Sequence, residues 1–484
     1  MKILLINPPF TFRFSRTGAR WPTRTKSDTL CYPAWLSYAT GVLQQNDFEV
    51  KLVDAPARNL TSVHMIKICE KFGPDMIVLD TSTPTIQNDV KCGSILKSLN
   101  KDAKLVLVGP HASALPQDTL DMSKDIDIVC RGEYDYTLLD IAQTFESGGD
   151  LKNVKGILFR KDEKAVLTPI RPFIQNLDSL PFVSKVYKQF LNVYDYFYSM
   201  CLYPMIQIFS SRGCPYHCTY CVWPQVLMGH QFRTRSIKNL VDEIEYIQKD
   251  LPMIEEIIME DDTFTFDKPR LLEFCKEIQE RNLDVSWTAN ARADISMELL
   301  KEMKKSGCRM LIVGYESGSQ KLLNNVRKGI KIETMREFAI NANKIGIKTM
   351  ACFLIGLPGE TPQTAEETYQ FAKYANPDWF FFNLACPFPG TEFYAWCKEK
   401  GYLVSEDFSD WVDDEGYLEC MVNYPEYSTE KLKTTVDRFA IRYVLQPQFL
   451  MMSLKKMTKD RKEIKRYIRA SRHVIHYLWN ARST

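Results

Sequence analysis

The chain has 484 residues, of which 45% are hydrophobic and 25% charged, the balance of a protein that buries ordinary globular cores. Its formal net charge is +2, which excludes polyanion binding by the molecule as a whole. Length points to about three domains.

No run of about 18 uncharged apolar residues occurs, so no membrane span is expected, and MKILLINPPF lacks the apolar segment of a signal peptide. Fourteen cysteines without an export signal fit a reducing, cytoplasmic setting, where thiols bind metals or pack in cores.

Residues 1–148 alternate strand and helix patterns. KILLIN (2–7), VKLVDA (50–55), MIVLDTS (76–82), KLVLVG (104–109) and IDIVCRGE (126–133) read as buried parallel strands, with helical periodicity over 61–72 and 86–99. This pattern predicts an α/β, doubly wound, flavodoxin-like sheet whose ligand lies outside the C-terminal strand ends. The residues expected there are Asn7, Pro8, Pro9, Asp54, Ala55, Thr81, Ser82, Thr83, Gly109, Pro110, His111, Gly132 and Glu133. No GxGxxG follows the first strand, which argues against a dinucleotide. Residues 149–200 read as a connector, with a hairpin around Lys161-Asp162 and a proline-containing linker, DSLPFV.

A second alternation fills residues 201–400. Strands are predicted at 205–210, 255–260, 285–290, 308–314, 348–356 and 379–385, and helices at 236–249, 268–281, 297–306, 331–345 and 362–375. Six such units suggest a partial (β/α)6 TIM-like barrel with its site at the C-terminal strand ends. Residues 401–484 read as a mainly helical region. Its end, from Lys455 to Arg482, is basic and amphipathic, with ten Lys or Arg against Asp460 and Glu463. Eight excess charges at about 1 kcal/mol each would hold such a tail at an anionic membrane surface, and packing on the barrel is the other reading. Sparse aromatic interleaving argues against nucleic acid as a partner.

The strongest signal is CPYHCTYC, which places Cys214, Cys218 and Cys221 directly after the first strand of the barrel. A closed zinc site would need a fourth ligand, and His217 is an awkward one beside Cys218. Three thiolates can instead hold three irons of a four-iron cluster and leave the fourth iron open.

CPYHCTYC with its preceding strand resembles the signature of the radical S-adenosylmethionine (SAM) superfamily, including the aromatic Tyr220 before the third cysteine. EDDTF (260–264), the strand end at Asn290 and Arg292, VGYESG (313–318), FLIGLPGE (353–360) and PFPGTEFY (387–394) resemble the family's motifs in the same order. The resemblance implies a [4Fe-4S] cluster on Cys214, Cys218 and Cys221. It implies SAM chelated at the open iron and split to give a radical that removes hydrogen from an inert carbon. It also implies SAM contacts from Tyr220, Glu260, Asp261, Asp262, Asn290, Arg292, Glu316 and Gly356. A small-molecule substrate and an electron donor such as flavodoxin or ferredoxin follow from the same likeness.

The doubly wound domain before the barrel, with NPP after its first strand and GPHAS after its fourth, resembles the cobalamin-binding group that includes the anaerobic Mg-protoporphyrin ester cyclase. Cobalamin would then meet the N-terminal loops named above. The DxHxxG motif is absent, so the lower face of cobalt is left to His111, to water, or to a residue such as Ser82 or Thr83. His64 sits in a helical pattern and is not expected to be a ligand. Segments such as DAPARNLT, LDTSTPTIQNDVK, CVWPQVLMGHQFRTRS and VGYESGSQ are similar to hopanoid-associated members, implicated in forming the bacteriohopanepolyol cyclitol ether. That likeness implies ring rearrangement on a lipid-linked or apolar substrate, with location in the cytoplasm or peripherally at the inner face of the membrane. The alternatives are carbon methylation, RNA modification, and a non-catalytic iron–sulfur or cobalamin sensor.

Overall fold

KILLIN and the runs like it are apolar at every position because their sheet is covered on both faces. In the computed structural model, which describes residues 1–16, 22–25, 27–447 and 449–451, these runs form β1 (Lys2–Asn7), β2 (Glu49–Asp54), β3 (Met76–Asp80), β4 (Lys104–Val108) and β5 (Ile128–Cys130). They pair in parallel in the order β2-β1-β3-β4-β5. Alternate side chains separate into two cores. Ile3, Leu5, Val78 and Val106 face the barrel side, whereas Leu4, Ile6, Leu79 and Leu107 face the helices Ser62–Phe72 and Ile86–Leu99. Each fully buried aliphatic side chain contributes about 1.5–3 kcal/mol.

The expected hairpin exists, but its turn is Asp162-Glu163, both at positive φ as a tight hairpin turn requires. Its strands β6 (Ile157–Lys161) and β7 (Lys164–Leu167) continue the N-terminal sheet, β6 lying antiparallel to β5. The first part of the segment read as a connector therefore belongs to that sheet.

The second half forms β8 (Met205–Ile208), the short ribbon β9 (Ser211–Arg212) and β10 (Arg233–Thr234), then β11 (Glu256–Met259), β12 (Trp287–Ala291), β13 (Cys308–Glu316), β14 (Lys348–Ile355) and β15 (Trp379–Leu384). Six strands pair in parallel in the order β8-β11-β12-β13-β14-β15, and among the described residues β8 and β15 do not pair. The barrel is thus partial. Helices Ile237–Asp250, Lys268–Glu280, Met297–Lys305, Ile332–Ile345 and Pro362–Ala375 return the chain between strands.

Beyond β15 the described chain is less helical than its sequence suggests. Two isolated bridges, Leu403 to Val422 and Val412 to Leu418, precede the helix Thr429–Val444. That helix packs on β15 through Phe439 against Phe382 and Tyr443 against Phe380. The basic tail from Lys455 to Arg482 lies outside the described residues. Among the described residues, no helix is long and apolar enough to cross a membrane.

Candidate active site

β8 ends at Ile208, and the chain then runs through β9 into the cysteine loop, which returns at β10. Gly213 opens that loop at φ +83°, where a side chain would meet the Gln231 carbonyl at 2.2 Å, so glycine is required. Two side chains tie the loop's carbonyls. His230 Nδ1 lies 3.1 Å from the carbonyls of both Cys214 and Tyr216, and Gln225 Nε2 donates to those of Cys218, Thr219 and Cys221. A π-helical turn, Trp223–Met228, follows the third cysteine, a rare geometry that recurs at functional sites.

Cys214, Cys218 and Cys221 all line one cavity of about 300 Å³ at the mouth of the barrel. Among the described residues no three His, Cys, Asp or Glu side chains are placed to hold a single metal ion. His217 stacks on His230 with ring centroids 4.1 Å apart. Thiols set around a wall suit a multi-iron cluster, whose metals lie between its ligands.

The same cavity receives Tyr220, Glu260, Asp262, Asn290, Arg292 and Glu316. Glu316 is the most constrained of them. It sits at φ +64°, unusual for a side-chain-bearing residue and a mark of functional sites, beside a register shift in the β13–β14 pairing. Its carboxylate folds over Gly314, where a Cβ would come within 2.4 Å of Oε1. Lys328 Nζ donates to Oε1 at 2.8 Å from an equally buried position. Burial works against the Lys328 charge, but the Glu316 carboxylate outweighs it and holds the ammonium above its ordinary range. Burial, then the charges of Glu316 and the two nearest cysteines, keep Tyr220 a neutral phenol. Arg292 lies 3.6 Å from the Tyr216 ring centroid and donates to the carbonyls of Lys328 and Gly329. Thr263 Oγ1 is buried at the cavity wall with no hydrogen-bond partner among the described residues, so polar capacity is left for a ligand.

Two expected SAM contacts do not line this cavity. Asp261 is buried below it, accepting from Ser210 N at 2.7 Å and from the hydroxyls of Ser210 and Ser211, so it fixes the chain entering the cysteine loop. Gly356 faces Val422 and Leu432 of the C-terminal region, and its carbonyl accepts from Tyr424 Oη at 2.7 Å. Its N–H goes to Glu360 Oε2 at 3.1 Å. Burial raises that carboxyl to about 7.

At the other expected site, several N-terminal loop residues bind one another. Asn7 Nδ2 donates to Asp54 Oδ1 at 2.8 Å, and Tyr196 Oη donates to Asp54 Oδ2 at 2.8 Å. The buried Arg16 reaches Asn7 Oδ1, the Pro8 carbonyl and Asp89, the last at 2.7 Å. The Pro9 carbonyl accepts from Asn88, and Ala55 N donates to the Asn7 carbonyl. Glu133 turns away from the loop cluster and pairs with Arg233 at 2.8 Å. Thr81 Oγ1 donates to the Val108 carbonyl, Ser82 Oγ contacts Thr85 Oγ1, and Gly132 N donates to Ser113 Oγ. Gly109, at φ +107°, packs so closely on Thr81 that a Cβ would meet its carbonyl at 2.4 Å. Thr83 and Pro110 edge a slot shared with Val222 and Trp223 of the cysteine loop. His111 Nδ1 lies 3.2 Å from Thr83 Oγ1, while its Nε2 is buried without a partner among the described residues. Burial lowers this imidazole to about 3, so it is a neutral group with a free ring nitrogen. A buried nitrogen without a partner, among small side chains and close backbone at the C-terminal strand ends, fits a large polar-edged ligand there.

Sequence reasoning missed Lys328, Thr263, Tyr216, Gln225, His230 and the roof of the cavity, to which Ser15, Thr29 and Cys31 contribute. Lys328 follows Glu316 by twelve residues, past the short helix Gln320–Asn325, a spacing that carries no pattern. Arg16 was visible as a charge within the aromatic stretch FTFRFSR.

A partial parallel barrel that brings three first-loop cysteines to its mouth, preceded by a doubly wound sheet, defines a radical SAM enzyme with a cobalamin-binding domain. The chain belongs to that class: residues 208–372 match the Radical SAM superfamily and residues 21–142 the B12 binding domain. It is 28% identical over 460 residues to an uncharacterized methyltransferase of Pyrococcus horikoshii, covering 94% of this chain and 95% of the other. It is 29% identical over 408 residues to the anaerobic magnesium-protoporphyrin IX monomethyl ester cyclase of Rubrivivax gelatinosus, covering 83% of this chain and 70% of the other. In fold it is similar to the radical SAM methyltransferase TsrM of Kitasatospora setae, solved with cobalamin and a [4Fe-4S] cluster. The TM-score is 0.70 at 17% identity, with 92% of this chain and 89% of that chain covered. The chain is thus an enzyme that uses a [4Fe-4S] cluster, SAM and cobalamin, with a small-molecule substrate and an electron donor.

Proposed function

We propose that this enzyme methylates a carbon atom in the apolar part of a small molecule. The observation that carries this reading is the mixed lining of the cavity, where the charged Glu260, Arg292 and Glu316 share one wall system with the apolar side chains of Tyr198, Met200, Ile312, Met350, Leu354 and Phe381. The near full-length similarity to a methyltransferase supports the reaction type.

In this reading Cys214, Cys218 and Cys221 hold the cluster. Glu260, Asp262, Asn290, Arg292 and Glu316 position SAM, and Thr81 to Thr83 with Gly109 to His111 face cobalamin. When bound, these groups supply one-electron chemistry at carbon and a carrier for methyl. Glu316 accepts hydroxyl hydrogens, with Lys328 Nζ donating to its Oε1 and fixing the carboxylate in place. Arg292, held flat on Tyr216, offers a fixed donor edge. Tyr198, Met350 and Phe381 exclude water and hold the apolar body of the substrate.

Ring rearrangement is the second reading, favoured by the similarity to a cyclase and by the hopanoid-like segments; a lipid-linked substrate belongs with it. The deciding experiment supplies SAM labelled in its methyl group to the anaerobically reconstituted enzyme with a lipid extract of host cells. Label in an extract component is the expected result. Unlabelled product with stoichiometric 5′-deoxyadenosine selects rearrangement. No product and no SAM cleavage under strong reduction would indicate a sensor, and tight tRNA binding at physiological salt an RNA substrate.

A further inference from the structure

The cysteine loop is held at both ends by arginines. Arg212 closes β9 two residues before Cys214, and Arg233 opens β10 opposite it in the ribbon. Both guanidinium groups leave the barrel and enter the N-terminal domain. Arg212 makes a bidentate pair with Asp135 at 2.7 and 3.0 Å and lies 3.4 Å from Glu133. Arg233 takes both oxygens of Glu133, at 2.8 and 2.9 Å. Glu133 also accepts from Ile174 N, and Arg233 donates to the carbonyls of Ile174 and Met228. Trp35 and Tyr38 cover Arg212, and Phe173 covers Arg233. All four charged side chains are 5% exposed or less.

Two buried cations and two buried anions cancel. Removing one partner leaves an uncompensated charge in a medium that screens poorly. That charge would stand on the flank of the cysteine loop, the backbone of Arg212 lying within about 7 Å of that of Cys214. On the other side, Glu133 directly follows Gly132, a residue of the loops expected to meet cobalamin. The network therefore ties the cobalamin-side loop to the cluster loop through one residue on each flank. Asp262, which accepts from Gly213 N at 3.1 Å, is a further carboxylate beside the loop and is unchanged by substitutions in the network.

We infer that the Glu133–Asp135–Arg212–Arg233 network is a charge-balanced clamp that fixes the cluster loop on the N-terminal domain and sets the reduction potential of the cluster. These four are positioning residues. The inference rests on the assignment of the cluster to Cys214, Cys218 and Cys221, which iron and sulfide content and the cluster's absorption test separately in the wild-type protein.

The test is a potentiometric titration, followed by electron paramagnetic resonance, of the reconstituted full chain and its variants. Glu133→Gln removes a negative charge and is expected to raise the midpoint potential. Arg233→Met removes a positive charge and is expected to lower it. The double variant restores neutrality and is expected to return to the wild-type value, and Arg233→Lys, which keeps the charge, to stay near it. A purely structural clamp would give no opposed shifts and no cancellation. If folded, iron-replete Glu133→Gln has the wild-type potential, or if both single variants move the same way, the inference is overturned. Should Glu133→Gln not accumulate in folded form, Asp135→Asn carries the same predicted rise and decides the matter. Absence of a cluster signal from wild-type protein would instead defeat the cysteine assignment.

Discussion

The molecule has two sheet edges of the kind that bind ligands, and it uses them differently. At the mouth of the barrel, polar groups line a cavity of about 300 Å³, and Thr263 Oγ1 there has no partner among the described residues. At the C-terminal edge of the N-terminal sheet, Asn7, Asp54, Arg16 and Asp89 are tied to one another. There His111 Nε2 is a buried polar atom without a partner among the described residues. Both edges obey the rule that places ligands at strand ends. The contrast teaches that strand-end position locates a site, but only the balance of donors and acceptors tells which side chains serve the ligand.

The sharpest way to break this comparison is at the cysteines. Alanine at Cys214, Cys218 or Cys221 should remove iron and lower SAM cleavage by at least about 10³-fold, measured as iron per chain and as 5′-deoxyadenosine released. Retained iron in any of the three would take that residue out of the site. Glu316 comes next. Glu316→Gln leaves Lys328 buried without its carboxylate and should cost about 3–5 kcal/mol of stability. It should also weaken SAM binding by about 10- to 100-fold, as expected for a hydrogen bond to a charged group. Adding Lys328→Met should recover the stability, read from denaturant melts, but not the affinity, read by titration calorimetry. Recovery of both would reduce Glu316 to a structural role.

What could be read beforehand follows the same division. The strands of both sheets were legible because burial on two faces demands unbroken apolar runs, and the barrel helices because their periodicity is regular. Cys214, Cys218 and Cys221 were legible because they fall within eight residues of a single loop. The pairing of Glu133 was hidden because only its strand-end position was visible, whereas its partners Arg212 and Arg233 lie about 80 and 100 residues further along the chain. Lys328, Arg16 and the roof at Ser15 and Cys31 act through contacts made only on folding. The hairpin at Asp162-Glu163 was recognised, but no local signal says which sheet a hairpin will join.

The remaining predictions concern FLIGLPGE, where motif and geometry part. Glu360 is buried, and its folded-state carboxyl is raised to about 7 against 4.5 in the open chain. The folded protein therefore holds the proton more tightly than the unfolded one. Its contribution to stability is present below about pH 4.5 and is lost as pH rises toward 7, by up to about 3 kcal/mol. Glu360→Gln should flatten the pH dependence of the denaturation midpoint across that window. An unchanged slope would mean that the carboxyl is solvated.

Gly356→Ala carries the smallest effect and the finest discrimination. The φ of +97° disfavours any side chain, whereas the nearest atoms to a new Cβ, on Leu432 and Val422, are at an ordinary 3.5 Å. The cost is therefore backbone strain of about 1–2 kcal/mol, seen as a lowered melting temperature. SAM affinity should stay unchanged, because Gly356 faces the C-terminal region and not the cavity. A glycine that approached the adenine would behave in the opposite way, losing affinity as well as stability once a methyl group intervened. Parallel measurement of melting temperature and SAM dissociation constant on this one variant separates the position suggested by the motif from the position in the fold.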